Sequence, residues 1–549
     1  MSIAGSPRTA RISWPFLIVP LLAFTALACW AVSSPVGSSP DDDFHHVSIW
    51  CAQGERDGLC EYTESANERL VPAALVATKC YAHKPNATGK CGTDALTDPL
   101  HALTRTERGN FGTESGLYPP LYYTAMSVFA SQNITWSVIT IRLVNSFAYV
   151  AMMTALCALL PAHRRPTLIT ASAVTMIPVG AFLLASANPS SWALIAGCTV
   201  PLAVVGYFET EGRRRQGLAA LALLATLMGG GARSDAALYV ILTIIAAIIL
   251  FARRERSFWV SALWPLALAL LSSYFVLSTQ QSASALATTS GSGSGGLLLD
   301  NLLALPVMWA GALGAPSPIE QWGLGWLDTS MPAIVWMAML LVCATAVLGG
   351  VASATGRKLF VVSAAFAALW VIPLYIIQSW GVHTGQWVQP RYILPLLTIF
   401  VTFALLRAPG GPGSTGTGNG LRGVGNGSGR NIGGEIGGDL ARPLPFTRNQ
   451  RHICAVAIVA ANSVALFINM RRYTHGADSQ AINLGHNASW WWEGSIPAPM
   501  TIWAAGTLAF TLVIAIVAWR FAHPAIHSPN RGESLVIPFS TPNSASVVQ

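Results

Sequence analysis

Three consecutive acids followed by a histidine pair, Pro40-Asp41-Asp42-Asp43-Phe44-His45-His46, are the residues of this chain best equipped for chemistry. A carboxylate can act as general base for an attacking hydroxyl, or hold a divalent metal such as Mg2+ or Mn2+ against a diphosphate. Asp41, Asp42 and His45 are therefore the candidate catalytic residues, and Asp41 and Asp42 the candidate metal ligands. His45 and His46 can also carry protons or bind a metal, although a histidine beside acids more often serves as a hydrogen-bond partner. The plain reading of an acidic run is a solvated polar edge. The rest of the sequence weighs against it.

Other costly polar groups approach the same level. Arg142 lies about one turn into an apolar stretch, Arg233 and Asp235 sit in a turn between two such stretches, and Arg391-Tyr392 opens another. Charges in or near apolar segments usually face a partner or a wet cavity. Guanidinium groups clamp phosphate oxygens bidentately, so acids beside several arginines suit a phosphate-bearing lipid. The candidate substrate-binding residues are Arg142, Arg233, Asp328, Arg391 and Tyr392. Each arginine also has a plainer reading: snorkelling to headgroups, or pairing of Arg233 with Asp235 across their turn. There is no Gly-x-Ser-x-Gly, His-Glu-x-x-His or Walker sequence, which disfavours hydrolase and ATP-driven pump readings.

The elements that must position these residues are membrane helices. Of 549 residues, 52% are hydrophobic and only 10% charged, whereas soluble domains carry about 25% charge. Runs of about 20 apolar residues recur along the chain. They predict an all-α polytopic bundle of twelve spans, near 14–33, 138–160, 167–185, 191–208, 217–232, 235–252, 258–278, 331–350, 358–378, 391–407, 452–470 and 499–519. The first has basic Arg8 and Arg11 before it but no Ala-x-Ala cleavage pattern, so it reads as an uncleaved helix and not as a signal peptide. Arg164-Arg165, Arg213-Arg214-Arg215, Arg253-Arg254 and Arg357-Lys358 fall in short connections on one side, which places both termini in the cytoplasm of a plasma-membrane protein. Arg471 and Arg472 dissent. The net charge of +8 reports that orientation and not nucleic-acid binding.

On this topology residues 34–137 form a large extracytoplasmic loop, closed by Tyr118-Pro119-Pro120-Leu121-Tyr122-Tyr123 and a short interfacial helix. Four of the nine cysteines, Cys51, Cys60, Cys80 and Cys91, lie in it. They form two disulfides of open connectivity or a metal site; missing Cys-x-x-Cys spacing favours disulfides. Further extracytoplasmic segments span 279–330, with an interfacial or re-entrant stretch Leu297 to Leu313, then Gln378 to Gln389, and Arg471 to Pro499 with Trp490-Trp491-Trp492. Inside, the glycine-rich stretch Pro409 to Asp439 cannot bury a core and is expected to be disordered. Its Gly418-x-Gly420-x-x-Gly423 has no preceding strand and is no nucleotide site. Asn86, Asn133, Asn426 and Asn487 head sequons of chance frequency.

Pro40-Asp41-Asp42-Asp43-Phe44-His45 resembles the Pro-Asp-Glu-x-x-His signature of the bacterial membrane family of domain of unknown function 2142. Tyr118-Pro119-Pro120-Leu121-Tyr122-Tyr123, Arg142-Leu143, Asn188-Pro189-Ser190, Gly325-Trp326-Leu327-Asp328-Thr329 and Gln389-Pro390-Arg391-Tyr392 follow in the family's order. That family is similar to the type C glycosyltransferases, which use polyprenyl-phosphate sugars. The resemblance implies Asp41 and Asp42 as base or metal contacts and Arg391 as the lipid-phosphate contact. Asp42 replaces the usual Glu, and the first loop is longer and bears the cysteines. The leading expectation is transfer of a sugar from a polyprenyl (di)phosphate donor to an envelope glycan at the outer face. The partners are then the bilayer, the lipid-linked sugar and the glycan acceptor. The alternatives are a flippase of a lipid-linked saccharide, which would want interrupted helices in two related halves, and a non-catalytic assembly scaffold.

Overall fold

The computed structural model describes residues 15–97, 102–280, 295–317, 322–352, 354, 356–386, 388–406, 446–492 and 494–522. The glycine-rich stretch with its Gly418-x-Gly420-x-x-Gly423, the sequon at Asn426 and most of the Ser/Gly run before Gly295 lie outside them. Among the described residues the regular structure is helical except for one small sheet. The principal helices are α1 (Pro15–Val32), α2 (Asp42–Cys51), α3 (Leu121–Met126), α4 (Ile134–Leu159), α5 (Arg165–Thr175), α6 (Val179–Leu184), α7 (Ser190–Glu209) and α8 (Gly212–Ala232). They continue with α9 (Ser234–Phe251), α10 (Arg256–Leu277), α11 (Gly295–Ala312), α12 (Ala333–Val351), α13 (Gly356–Ser379), α14 (Pro390–Leu405), α15 (Arg448–His475) and α16 (Pro499–Ala522); single-turn helices are left unlabelled.

Among the described residues, eight helices are long and apolar enough to cross a bilayer: α4, α7, α9, α10, α12, α13, α15 and α16. Each coincides with an expected span. Spans 14–33 and 391–407 appear as the shorter apolar helices α1 and α14. Span 167–185 breaks into α5 and α6, because Pro178 has no N–H to continue the ladder. Span 217–232 is α8, one helix whose first turn carries Arg213, Arg214 and Arg215. The stretch read as interfacial or re-entrant is α11. Asn301 near its start donates to Val382 O beyond the end of α13, and Trp309 reaches Leu369 O in the middle of α13.

Helices α7 and α14 form the centre. Almost every residue of both is buried, as expected for helices that are apolar all round. Gly197 permits their contact: a Cβ there would stand 3.1 Å from the carbonyl oxygen of Pro395. Around them α14 packs on α5, α11, α12 and α13, while α1 packs on α4 and α16.

Between α1 and α4 the chain forms a folded cap at one end of the bundle. Strands β1 (Glu61–Tyr62), β2 (Arg69–Pro72) and β3 (Leu103–Thr106) make an antiparallel sheet in sequence order, with Val71 opposite Thr104. Cys51 is bonded to Cys60 and Cys80 to Cys91. The segment after α15 joins this cap, with Ala477 N–H donating to Pro85 O and Asn86 bonded to Asp478.

Candidate functional site

The site is built on the irregular backbone between α1 and α2. An unpaired carbonyl in an apolar surrounding is costly, and here side chains from distant parts of the chain satisfy nearly every one. Arg142 of α4 donates to Ala31 O, Ser34 O and Pro35 O and to Ser38 Oγ. Trp492 donates to Val32 O, Asn469 to Ser33 O, and Tyr81 to Val36 O. Trp326 donates to Gly37 O, Tyr473 to Ser38 O, and Asn188, just before α7, to Pro40 O. The segment is thus pinned by six different parts of the chain before α2 begins.

Asp41 is the N-cap residue of α2 and has φ 61°, in the left-handed region that Asp tolerates better than most residues. An N-cap carboxylate ordinarily accepts from the helix's own first amides. This one does not, because its backbone turns it off the helix. Its Oδ2 instead meets Arg391 Nη2 at 2.7 Å and its Oδ1 lies 3.9 Å from Arg108. Burial pushes the Asp41 carboxyl up, but the guanidinium groups of Arg391 and Arg108 outweigh it and hold the carboxyl below its ordinary value.

Arg391 opens α14 and is 7% exposed. Beyond Asp41 it donates from Nη2 to the Tyr392 hydroxyl, while its Nε and Nη1 are buried without a partner among the described residues. Arg233 stands over the Tyr392 ring at 4.6 Å and the Tyr118 ring at 5.5 Å, and is itself bound bidentately by Asp235. Tyr239 donates to Tyr392 O, fixing the start of α14. Pro40, Phe182, Trp322, Gln389 and Arg391 line a cavity of about 30 Å³ behind the pair, enough for a very few waters.

The other members of the acidic run part company with Asp41. Asp42 is fully buried; its Oδ2 accepts from Ser39 N–H and lies 3.7 Å from His46 Nε2, and its Oδ1 has no partner. Burial raises its carboxyl to about 8, against the pull of Arg142 and of the Ser39 amide. Asp43 turns the opposite way and is clasped by Lys79 at 2.5 Å and Arg108 at 3.0 Å. His45 is buried, with Nδ1 2.9 Å from the Tyr123 hydroxyl, and burial depresses it to about 3. His46 is depressed to about 3 as well, mainly by burial and then by Arg142. Both imidazoles are neutral at pH 7.

Of the residues singled out from the sequence, Asp41, His45, Arg233, Arg391 and Tyr392 gather in one place. Arg142 and Asp42 lie beneath it and shape the backbone that presents Asp41. Asp328 lies apart, in a buried pair with Arg472 at 2.7 Å; Arg472 also donates to Tyr81 O, Lys84 O and Ala87 O. Arg108, Lys79 and the partnership of Asp43 were not foreseen. They sit in the polar cap, where nothing in the local pattern marks one basic residue over another.

The residues do not form a metal site by themselves. Asp41 and Asp42 face different surroundings, the oxygens of Asp41 are turned to guanidinium groups, and among the described residues no three His, Cys, Asp or Glu side chains gather to hold an ion. What the arrangement offers is an ionised, half-exposed carboxylate beside a guanidinium with two unused donors. Around it Arg108, Lys79, Arg391 and Arg233 meet Asp41, Asp43 and Asp235, an excess of one cation. A family model described as "Predicted membrane protein (DUF2142)" matches residues 24–400. No curated protein and no solved structure shows significant similarity to the chain.

Proposed function

Because the chain belongs to the DUF2142 family of predicted membrane proteins, we propose that the Asp41–Arg391 pair works at a bilayer face as a glycosyltransferase centre. The donor is a sugar on a polyprenyl (di)phosphate, and the acceptor is an envelope glycan. The positive-inside pattern supports an extracytoplasmic site in the plasma membrane with cytoplasmic termini. At that face a lipid-carried donor is the chemically reasonable choice, since nucleotide sugars are confined to the cytoplasm.

The observation that carries the reading is the buried Arg391 guanidinium with Nε and Nη1 unpartnered. Buried donors are rarely left unmet, and a phosphate oxygen pair matches that edge bidentately. In the proposed step Asp41 takes the proton of the acceptor hydroxyl, whose oxygen bonds to the anomeric carbon. The carbon–oxygen bond to the phosphate breaks, and the lipid phosphate leaves with the electron pair against Arg391. A phosphate that engages Arg391 also weakens its hold on Asp41, raising the basicity of the carboxylate when the donor is in place. Neutral His45, held by Tyr123, buttresses Asp41 without competing for the proton. Asp42 supports the loop from beneath.

The test is transfer from a radiolabelled polyprenyl-phosphate sugar pool in membranes carrying the full chain. Label in a glycan product that requires this protein supports the reading. No transfer across a broad donor panel, with the envelope glycans of a deletion strain unchanged, overturns it.

A further inference from the structure

An apolar cavity lies away from Asp41, toward the other end of the bundle. It measures about 440 Å³, within the usual range for ligand pockets. Its walls come from α1, α4, α5 and α16, with Phe16, Ala23, Met153, Leu168, Phe510 and Val517 among them. Along α1 it extends from Phe16 to Trp30, about 21 Å at 1.5 Å per residue. That is a large share of the roughly 30 Å hydrocarbon core. Asn462 is a polar group on the wall, and its Oδ1 already accepts from Trp30 Nε1.

The far end is charged. Arg165, at the start of α5, and Arg520, near the end of α16, both line the cavity. Neighbouring Arg164 is saturated by Glu209, which it grips through Nε and Nη2. Among the described residues Arg165 has no such partner: its Nε is buried without a hydrogen bond, and the one hydrogen bond of its side chain is a 3.5 Å approach of Nη2 to Ala158 O. Arg520 stacks on Trp519 at 5.3 Å. Among the described residues no carboxylate pairs with either arginine. Two cations at the mouth of an apolar slot call for an anion that carries a long apolar chain.

We infer that this slot binds an anionic glycerophospholipid of the leaflet opposite the Asp41 site, its phosphate between Arg165 and Arg520 and an acyl chain along α1. A zwitterionic lipid is disfavoured, because its amine would be brought beside both guanidinium groups. The site is independent of the proposed transfer reaction: α1 leads from Phe16 at one end to the Asp41 loop at the other.

The experiment is native mass spectrometry of the delipidated full chain in detergent, offered phosphatidylglycerol or phosphatidylcholine, with inorganic phosphate as a separate competitor. Wild type is expected to retain phosphatidylglycerol about tenfold better than phosphatidylcholine. Arg165→Gln/Arg520→Gln should lose that preference, and Arg165→Lys/Arg520→Lys should keep it. Ala173→Trp, which fills the slot and leaves both arginines, should retain neither lipid. Equal retention of the two lipids by wild type overturns the proposal, as does a preference that survives the double Gln change or the Trp. Displacement of the lipid by inorganic phosphate alone also overturns it, since the slot would then be an anion site only. Should the Gln variant fail to fold, the Lys and Trp variants decide.

Discussion

Arg391 Nη2 lies 2.7 Å from Asp41 Oδ2, a contact between residues 350 apart in sequence. The carboxylate is half-exposed and the guanidinium almost wholly buried, so the pair presents a charged edge to solvent backed by a fixed cation.

Replacing Asp41 by Asn is expected to lower sugar transfer by about 10²–10⁴-fold, the usual contribution of a general base. Asn retains an acceptor oxygen for Arg391, so the purified variant should remain monodisperse. Undiminished transfer at equal expression would remove Asp41 from the chemistry.

Arg391→Lys keeps the charge and loses the planar fork. A point charge cannot offer the Nε and Nη1 edge to two phosphate oxygens. We expect kcat/KM for the lipid donor to fall roughly 10- to 100-fold, with most of the change in KM. A parallel fall with acceptor alone varied, at saturating donor, would contradict the assignment.

Stability should pass through a maximum near pH 6.5. His45 and His46 are depressed from 6.5 to about 3, so what they contribute is complete above pH 6.5 and is lost as pH falls toward 3. Asp42 is raised from 3.8 to about 8, so the unfolded state has already released that proton over this range and stability declines as pH rises toward 8. Each group changes the slope by at most about 1.4 kcal/mol per pH unit. Melting curves of Asp42→Asn should lose the decline on the alkaline side. An unchanged alkaline slope would mean that Asp42 is ionised in the fold.

Arg142→Gln should be costly to the fold. It orphans up to three carbonyls, each worth about 1–3 kcal/mol when buried. The variant is expected to melt well below wild type in detergent and to lose transfer in proportion to the unfolded fraction. Loss of transfer with wild-type stability would instead place Arg142 on the substrate.

Reduction of the disulfides should lower stability by about 2–4 kcal/mol per bond, whereas chelation by EDTA should leave the melt unchanged. The 80–91 turn holds three of the carbonyls that Arg472 grips. Its release should therefore expose the cap to protease first. A melt that moves with EDTA would restore a metal to the cap.

The helical architecture was legible because apolar run length is a strong signal. Eight expected spans returned as helices long and apolar enough to cross a bilayer, and the stretch near 217–232 is a single helix through Gly229, Gly230 and Gly231. Asp41 and Arg391 were legible as costly charges beside apolar segments. The different fates of Asp41, Asp42 and Asp43 were not, because adjacent identical residues differ only through φ 61° at the first of them. Arg142 carried the same signal as Arg391 and proved to be a clamp on backbone carbonyls. Cost marks a partner without saying whether that partner is substrate or main chain.

The donors that close the loop before Asp41 have a temporal consequence. Asn469, Tyr473 and Trp492 supply three of them, and Asn469 is 436 residues beyond Ser33, which it binds. At about 5–20 residues per second of synthesis, the loop waits roughly 20–90 seconds for these partners after it emerges. A chain that ends before residue 469 therefore carries the acidic segment without these three donors, and the loop closes only after α15 and the segment that follows it have been made.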